Sequence, residues 1–213
     1  MTFSMKKIKH ISFDLDGTLI NSIPIMKQAW KETMVELGLA VGFENYKKYI
    51  GLKFDDIMKK LGLENITNEI SLLYFKKTAN LIDQIKLIEG VIETIDWLKR
   101  RDITTSIITS KPRKNAETII KKHNINVDLL LCGDDFSKGK PSPEGGLVVI
   151  EKFNLNPLEI VYVGDMLYDL QFAQNLGVNF IHFCVEGENL LPKNLSNKIK
   201  ATSRFQEIKK IIF

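Results

Sequence analysis

The sequence alternates short apolar runs with segments of helical periodicity over most of its length, and this alternation constrains the fold more than any other feature. The apolar runs are rich in β-branched and aromatic residues, which favour strands. Consecutive parallel strands need a helix-sized crossover, so we expect an α/β fold with a doubly wound, Rossmann-like parallel sheet. The predicted strands cover residues 7–14, 104–110, 127–132, 159–165 and 179–184, and the predicted helices between them cover 90–101, 113–124, 142–154 and 168–177.

One segment, from about residue 21 to residue 86, breaks this alternation because it has helical periodicity and no convincing strand. In its first part, apolar side chains recur at three- and four-residue spacing, which places them on one face of a helix. These side chains are Ile23, Met26, Trp30, Met34 and Leu37. We expect residues 21–86 to form an inserted α-helical cap domain, and residues 1–20 and 87–213 to form the core that contains the sheet.

The composition limits the partners of the chain. Of its 213 residues, 44% are hydrophobic and 26% are charged, which is typical of globular proteins. The net charge is +4, and the sequence has no dense basic block with interleaved aromatic residues. We therefore expect no nucleic-acid binding. No apolar run could span a bilayer, and the first residues, "MTFSMKKIKH", lack the apolar region of a secretory signal. We therefore expect a cytoplasmic protein that does not bind membranes, and the sequence leaves open whether it is a monomer or a homodimer.

Polar residues fall where the predicted strands end, and open parallel sheets bind ligands at that edge. Clustered carboxylates are the ligands that Mg²⁺ prefers, and a divalent cation offsets the like charges of neighbouring acids. A lysine beside a metal suits a phosphoryl group, because phosphoryl transfer depends on positioning and charge neutralisation. The residues concerned are Asp14, Asp16, Thr109, Ser110, Lys140, Asp165 and Asp169.

Each of these features alone has an ordinary structural interpretation. Asp14 and Asp16 could form a solvated turn, Asp165 could cap a helix, and Lys140 could be a surface residue in a Gly/Pro loop. Thr109 could be a hydrogen-bonded hydroxyl at a strand end. The occurrence of all of them in this order favours a functional site.

Four short segments, "DLDGTL", "ITSK", "KGKPSP" and "VGDMLYD", resemble in that order the four motifs of the haloacid dehalogenase-like hydrolase superfamily. The resemblance is strongest to its phosphatases with a helical cap after the first motif, the phosphoglycolate phosphatase and β-phosphoglucomutase branch. The motifs span residues 14–169. The sequence departs from the usual pattern at Asn21, where many relatives have aspartate, and at Ser110, where asparagine is common.

The resemblance implies a Mg²⁺-dependent phosphatase that hydrolyses a small phosphorylated metabolite through an aspartyl-phosphate intermediate. Asp14 would be the nucleophile, and Asp16 would be the general acid and then the general base. Thr109, Ser110 and Lys140 would bind the phosphoryl group.

The resemblance also implies a metal site and a role for the cap. Mg²⁺ would be held by Asp14, Asp165 and the backbone carbonyl of Asp16, with Asp169 ligating or supporting the metal and Lys140. In the cap, Lys53 is a candidate contact to substrate.

Other functions remain open at this point. A phosphomutase would use the same aspartyl-phosphate but return the phosphoryl group to a sugar. A non-catalytic ligand-binding or regulatory protein could keep the fold without turnover. A dehalogenase or phosphonatase is disfavoured, because those relatives lack the second aspartate at the position of Asp16. The sequence leaves the substrate open among phosphoglycolate, sugar phosphates, nucleotides and pyrophosphate.

Overall fold

A computed structural model of the chain describes residues 7–184, 191 and 199–212. From residue 86 to residue 183 its strands alternate with helices. The strands are β1 (His10–Phe13), β2 (Ile20–Asn21), β3 (Lys86–Leu87), β4 (Thr104–Ile108), β5 (Leu129–Leu131), β6 (Ile160–Gly164), β7 (Asn179–Phe183) and β8 (Lys200–Thr202).

The helices are short, and none within the described ranges combines the length and the apolar character that crossing a membrane requires. Short 3₁₀ turns connect several of them. The helices are α1 (Ile23–Glu36), α2 (Phe43–Lys47), α3 (Phe54–Leu61), α4 (Thr67–Asn80), α5 (Val91–Lys99), α6 (Arg113–Lys122), α7 (Glu144–Phe153), α8 (Leu167–Leu176) and α9 (Ile208–Ile212).

Six strands form one parallel sheet in the order β5-β4-β1-β6-β7-β8. The order reverses at β1, which lies between β4 and β6 with His10 opposite both Thr104 and Ile160. Helices α5, α6 and α9 pack in the hydrophobic cluster of one face, and α7 and α8 in that of the other. The predicted doubly wound α/β core is therefore confirmed.

Strand β1 shows how the sheet separates its two faces. Ile11 and Phe13 are fully buried in the cluster that contains α5 and α6. His10 alternates with them, and its two ring nitrogens lie 2.7 Å from the Thr104 hydroxyl and 2.9 Å from the Ser106 hydroxyl. Because buried polar groups are costly without partners, these hydrogen bonds allow a histidine inside the central strand.

The five predicted strands are all present, and each is shorter than its apolar run. Three strands were not predicted: β2 and β3 have two residues each, and β8 has three. Lys200 and Ala201 of β8 are exposed, so this edge strand has no continuous apolar run for a pattern to detect.

Helices α1 to α4 form the predicted helical cap, and their hydrophobic cluster also includes Met166 from the core. Trp30 and Met34 of the predicted α1 face are buried, whereas Ile23 and Leu37 are only partly buried. Helix α2 was not predicted, because five residues are too few to show periodicity. The domain boundaries remain predictions, and the predicted core ranges include residues outside the described part of the chain.

A two-stranded antiparallel ribbon joins the places where the chain enters and leaves the cap. Ile20 pairs with Leu87 and Asn21 pairs with Lys86. The ribbon begins four residues after Asp16, so it fixes the cap beside the carboxyl edge of the parallel sheet.

Candidate active site

The first motif leaves β1 in a tight turn against the fourth motif. The backbone N–H of Asp14 donates to Val163 O at 2.9 Å, and that of Gly17 donates to Ile20 O at 2.9 Å. Gly17 has φ +84°, a left-handed conformation that glycine adopts at little cost. A Cβ atom there would overlap the Asp165 carboxylate, so the glycine lets the two motifs touch.

Lys140 joins the nucleophile candidate to the fourth motif. Its ammonium group donates to Asp14 Oδ1 at 2.6 Å, to Asp169 Oδ1 at 2.7 Å and to the Tyr162 hydroxyl at 3.2 Å. Lys140 is 3% exposed, Asp14 is 4% exposed and Asp169 is fully buried. Charges removed from water to this extent are stable only when they are paired, so these contacts bind the motifs into one unit.

The cluster carries more acids than its lysine can neutralise. Burial raises the pKa of Asp14 to about 7; Lys140 opposes this rise, and Asp169 and Asp16 add to it. Burial, followed by Asp169 and Asp14, also raises the pKa of Asp165 well above its usual range. Burial alone would lower the pKa of Lys140, but Asp14 and Asp169 hold it above its usual range, so the lysine stays charged.

The residues present fit a divalent cation. One carboxylate oxygen each from Asp14, Asp165 and Asp169 lie within 4.8 Å of one another. Carboxylate oxygens are the protein ligands that Mg²⁺ prefers, and a cation would offset the repulsion that raises these pKa values. The Thr18 hydroxyl donates to Asp165 Oδ1 at 3.2 Å and orients that carboxylate.

Asp169 is satisfied by protein donors at both oxygens. Its Oδ1 lies within hydrogen-bond distance of Lys140 and of the Tyr162 hydroxyl, and its Oδ2 accepts from the Met166 N–H at 3.0 Å. This arrangement favours the supporting role that the resemblance allowed for Asp169, because its oxygens already position Lys140.

The side chain of Asp16 stands apart from the three clustered carboxylates. Its Oδ1 accepts from the Ser22 hydroxyl at 2.6 Å and lies 3.1 Å from Lys111 Nζ. These contacts hold the carboxyl group at the cavity that Asp14 also lines.

A cavity of about 60 Å³ separates the cap from this edge of the sheet, and we call it the cap cavity. Residues of the core line one side of it: the two aspartates of the first motif, and the residues of the second motif. Residues of the cap line the other side. The lining residues are Asp14, Asp16, Thr109, Ser110, Lys111, Pro112, Met26, Tyr46, Ile50, Gly51, Leu52, Phe54, Ile57, Tyr74 and Phe75.

Thr109 and Ser110 both line the cap cavity, but their hydroxyls have different partners. The buried Thr109 hydroxyl accepts from the Lys111 N–H at 3.1 Å. The Ser110 hydroxyl donates to Gly51 O in the cap at 2.6 Å. Ser110 therefore connects the core to the cap, and the contact of Thr109 and Ser110 with a phosphoryl group stays a prediction.

Lys53 makes a second connection between cap and core. Its ammonium group donates to Phe136 O at 2.9 Å and to Ser137 O at 3.4 Å. Lys53 is not one of the described residues that line the cap cavity. A contact between Lys53 and substrate stays a prediction.

Sequence reasoning assigned no role to several residues that contact the candidate site. Thr18 and Lys111 lie inside the recognised motifs, so position alone could have suggested them. The contact of Tyr162 depends on the face of β6 that it occupies and on Lys140, which lies in a loop 22 residues earlier. The sequence around Tyr162 predicts neither of these.

Comparison with known proteins agrees with the motifs and the fold. A family model described as haloacid dehalogenase-like hydrolase matches residues 11–183. The chain is 31% identical over 189 residues to a phosphoglycolate phosphatase of Vibrio parahaemolyticus, covering 82% of each. It is 23% identical to a phosphorylated carbohydrates phosphatase of Thermotoga maritima, covering 95% of this chain and 99% of that protein.

A solved structure shows the same architecture. The crystal structure of a putative phosphoglycolate phosphatase from Lactobacillus plantarum superimposes with a TM-score of 0.85 at 25% identity, covering 98% of this chain and 100% of that one. The family predicted from the four motifs is thereby confirmed. The chain belongs to the haloacid dehalogenase-like hydrolase family, within which it is similar to phosphoglycolate phosphatases.

Proposed function

We propose that the chain is a Mg²⁺-dependent phosphatase that hydrolyses a small phosphorylated metabolite through a phosphoryl group carried on Asp14. The observation that carries this proposal is the buried Lys140 ammonium group, which bonds to both Asp14 and Asp169 beside Asp165. Such a site places a carboxylate nucleophile next to a fixed positive charge, as phosphoryl transfer requires.

In the first step, an oxygen of Asp14 attacks phosphorus while the bond from phosphorus to the ester oxygen breaks. Asp16 donates a proton to the departing oxygen, which leaves as an alcohol. The hydrogen bond from Ser22 and the ion pair with Lys111 support this role, because they hold the Asp16 carboxyl group in the cap cavity.

In the second step, water attacks the phosphorus of the aspartyl-phosphate. Asp16, now a carboxylate, takes a proton from the water, and the bond from phosphorus to Asp14 breaks. Inorganic phosphate leaves, and both aspartates return to their starting state.

Thr109, Ser110 and Lys140 would bind the phosphoryl oxygens during both steps. Thr109 and Ser110 line the cap cavity, and Lys140 is held against Asp14. The cap would exclude bulk water while Asp14 attacks phosphorus in the first step, as lids over such sites do.

A magnesium ion would be held by the carboxylates of Asp14 and Asp165 and by the backbone carbonyl of Asp16. When bound, it would supply charge neutralisation for the phosphoryl group. Asp169 would accept a hydrogen bond from Lys140 and so hold the lysine in position beside the metal site.

The test is Asp14→Asn, with phosphate release from p-nitrophenyl phosphate measured in the presence of Mg²⁺. The amide removes the nucleophilic oxygen, so we expect loss of turnover by at least a thousandfold. Asp55→Asn is the matched control, because Asp55 is an exposed carboxylate in the first turn of α3. Normal turnover by folded Asp14→Asn would contradict the mechanism.

A direct readout of the intermediate complements the kinetics. After rapid acid quenching during turnover, intact mass spectrometry should show one added phosphoryl group on the unaltered protein and none on Asp14→Asn. An added group on both proteins would place the phosphoryl group elsewhere.

A further inference from the structure

The cap side of the cap cavity is aromatic and aliphatic. Its main side chains are Met26, Tyr46, Phe54, Ile57, Tyr74 and Phe75. The ring centroids of Phe54 and Tyr74 lie 5.5 Å apart in a stacked arrangement, and those of Phe54 and Phe75 lie 5.0 Å apart. This wall offers dispersion contacts and aromatic surface to the organic part of a substrate.

The polar atoms of this wall are neutral. The Tyr46 hydroxyl donates to the Tyr74 hydroxyl at 3.4 Å, and both residues are buried. Burial raises the pKa of both phenols well above the usual range, so neither forms a phenolate at neutral pH. The pair can exchange hydrogen bonds with a hydroxyl or an amide, but it supplies no charge.

The described lining of the cavity contains one cationic side chain, Lys111, and its ammonium group is 3.1 Å from Asp16 Oδ1. Lys53, which directly precedes Phe54 of this wall, donates instead to Phe136 O. Lys140 lies beneath the cavity and is engaged by Asp14 and Asp169.

A second anionic group on the substrate would therefore meet an unfavourable environment. Removing a carboxylate from water without a dedicated cation is costly. An uncharged group of the same shape avoids this cost.

We infer, on the basis of the proposed phosphatase function, that the cap cavity selects phosphate monoesters whose organic part is small and uncharged. It discriminates against esters that carry a second anionic group. Phe54 is the specificity-determining residue at the centre of this wall, since its ring contacts both Tyr74 and Phe75.

Two matched pairs of substrates test the inference in the unaltered protein. One pair is phosphoglycolate and its uncharged primary amide, and the other is 4-carboxyphenyl phosphate and phenyl phosphate. In each pair the two esters differ mainly by one negative charge. We expect kcat/KM to be at least tenfold higher for the uncharged member of each pair, and equal or higher values for the anionic members would overturn the inference.

Phe54→Arg supplies the missing cation and should shift the ratio of the two kcat/KM values in each pair toward the anionic member by at least tenfold. Phe54→Leu is the control, because it changes the ring but adds no charge and should leave the ratio within about threefold. An equal shift in both variants would overturn the role of charge. If Phe54→Arg does not fold, Phe75→Arg tests the same wall, and the ratios of the unaltered protein decide independently.

The outcomes separate this inference from the proposed function. Hydrolysis with a preference for anionic esters would overturn the inference alone. Absence of phosphate release from all four esters and from p-nitrophenyl phosphate, in folded protein with Mg²⁺, would overturn the phosphatase proposal and the substrate inference with it.

Discussion

Gly17 leaves space for the carboxylate of Asp165, although the two residues are 148 positions apart in the chain. A Cβ atom at Gly17 would overlap that carboxylate, and the φ of +84° is unfavourable for other residues. The contact explains why a glycine stands directly after the two aspartates of the first motif.

Gly17→Ala should abolish most activity, because the new methyl group must displace Asp165 from the carboxylate cluster. Gly38→Ala is the matched control. Gly38 also has a positive φ, +66°, but nothing lies within 4 Å of its missing Cβ. Both variants should lose about 1–2 kcal/mol of stability, because alanine adopts a left-handed backbone conformation at that cost. Phosphatase assays and urea unfolding would check this, and equal activities of the two variants would contradict the steric argument.

The hydroxyl of Thr18 offers a second test of the carboxylate cluster. Thr18→Val removes the hydrogen bond to Asp165 with little change in shape. Because outer partners orient metal ligands, we expect the Mg²⁺ concentration for half-maximal activity to rise by roughly tenfold. The same effect should appear in calorimetric titration of the protein with Mg²⁺.

The control for this substitution is Thr33→Val, which removes a buried hydroxyl that donates to Ala29 O within the cap. It should leave the Mg²⁺ requirement unchanged. A similar Mg²⁺ requirement in Thr18→Val and the unaltered protein would show that Thr18 does not orient the metal site.

Lys53 is expected to hold the cap against the core. Lys53→Met removes hydrogen bonds to Phe136 O and Ser137 O, so the closed arrangement should be less stable. We expect KM to rise about tenfold, and by a similar factor for every ester, since a hydrogen bond to a charged group contributes roughly 1.5 kcal/mol. An increase confined to particular esters would instead support the predicted contact with substrate.

Lys60→Met is the control for Lys53, because Lys60 is an exposed lysine at the end of the neighbouring α3 helix. Its Michaelis constants should match those of the unaltered protein. Steady-state kinetics with three esters of different size would make the comparison.

His10 should make the folded state sensitive to acid. Burial lowers the pKa of His10 to about 4, and Asp128 opposes this shift. Below about pH 6.5, His10 binds a proton in the unfolded chain but not in the folded protein. The contribution of neutral His10 to the free energy of unfolding is therefore full above that pH and decreases as the pH falls toward 4. Between pH 7 and pH 5 the loss is about 2 kcal/mol.

Urea unfolding at both pH values, in the unaltered protein and in His10→Gln, isolates this contribution from those of other ionisable groups. The free energy of unfolding should fall by about 2 kcal/mol more in the unaltered protein than in the variant. An equal fall in both would show that His10 does not cause the difference.

Local patterns predicted the elements that bury long apolar stretches and missed those that depend on distant partners. The apolar face containing Trp30 and Met34 was sufficient to predict α1, since both side chains are buried in the cap. Strand β8 was missed because only Thr202 of its three residues is buried.

The same distinction holds for the candidate site. Asp14 and Lys140 were identified because the order of the motifs predicts that both lie at the same edge of the sheet. In the structure Lys140 Nζ is 2.6 Å from Asp14 Oδ1. The hydrogen bond from Lys53 to Phe136 O joins residues 83 positions apart. Its acceptor is a backbone carbonyl, so no pattern of side chains in the sequence could predict it. Tyr162 was missed for a similar reason, because its hydroxyl meets Lys140 only in the folded chain.

The β2–β3 ribbon limits how the cap can move. Since Ile20 pairs with Leu87 and Asn21 with Lys86, any swing of the cap must bend both strands together. Motion of the cap that preserves this pairing must therefore move both connections at once. Such motion would separate Gly51 from Ser110 and then restore their hydrogen bond.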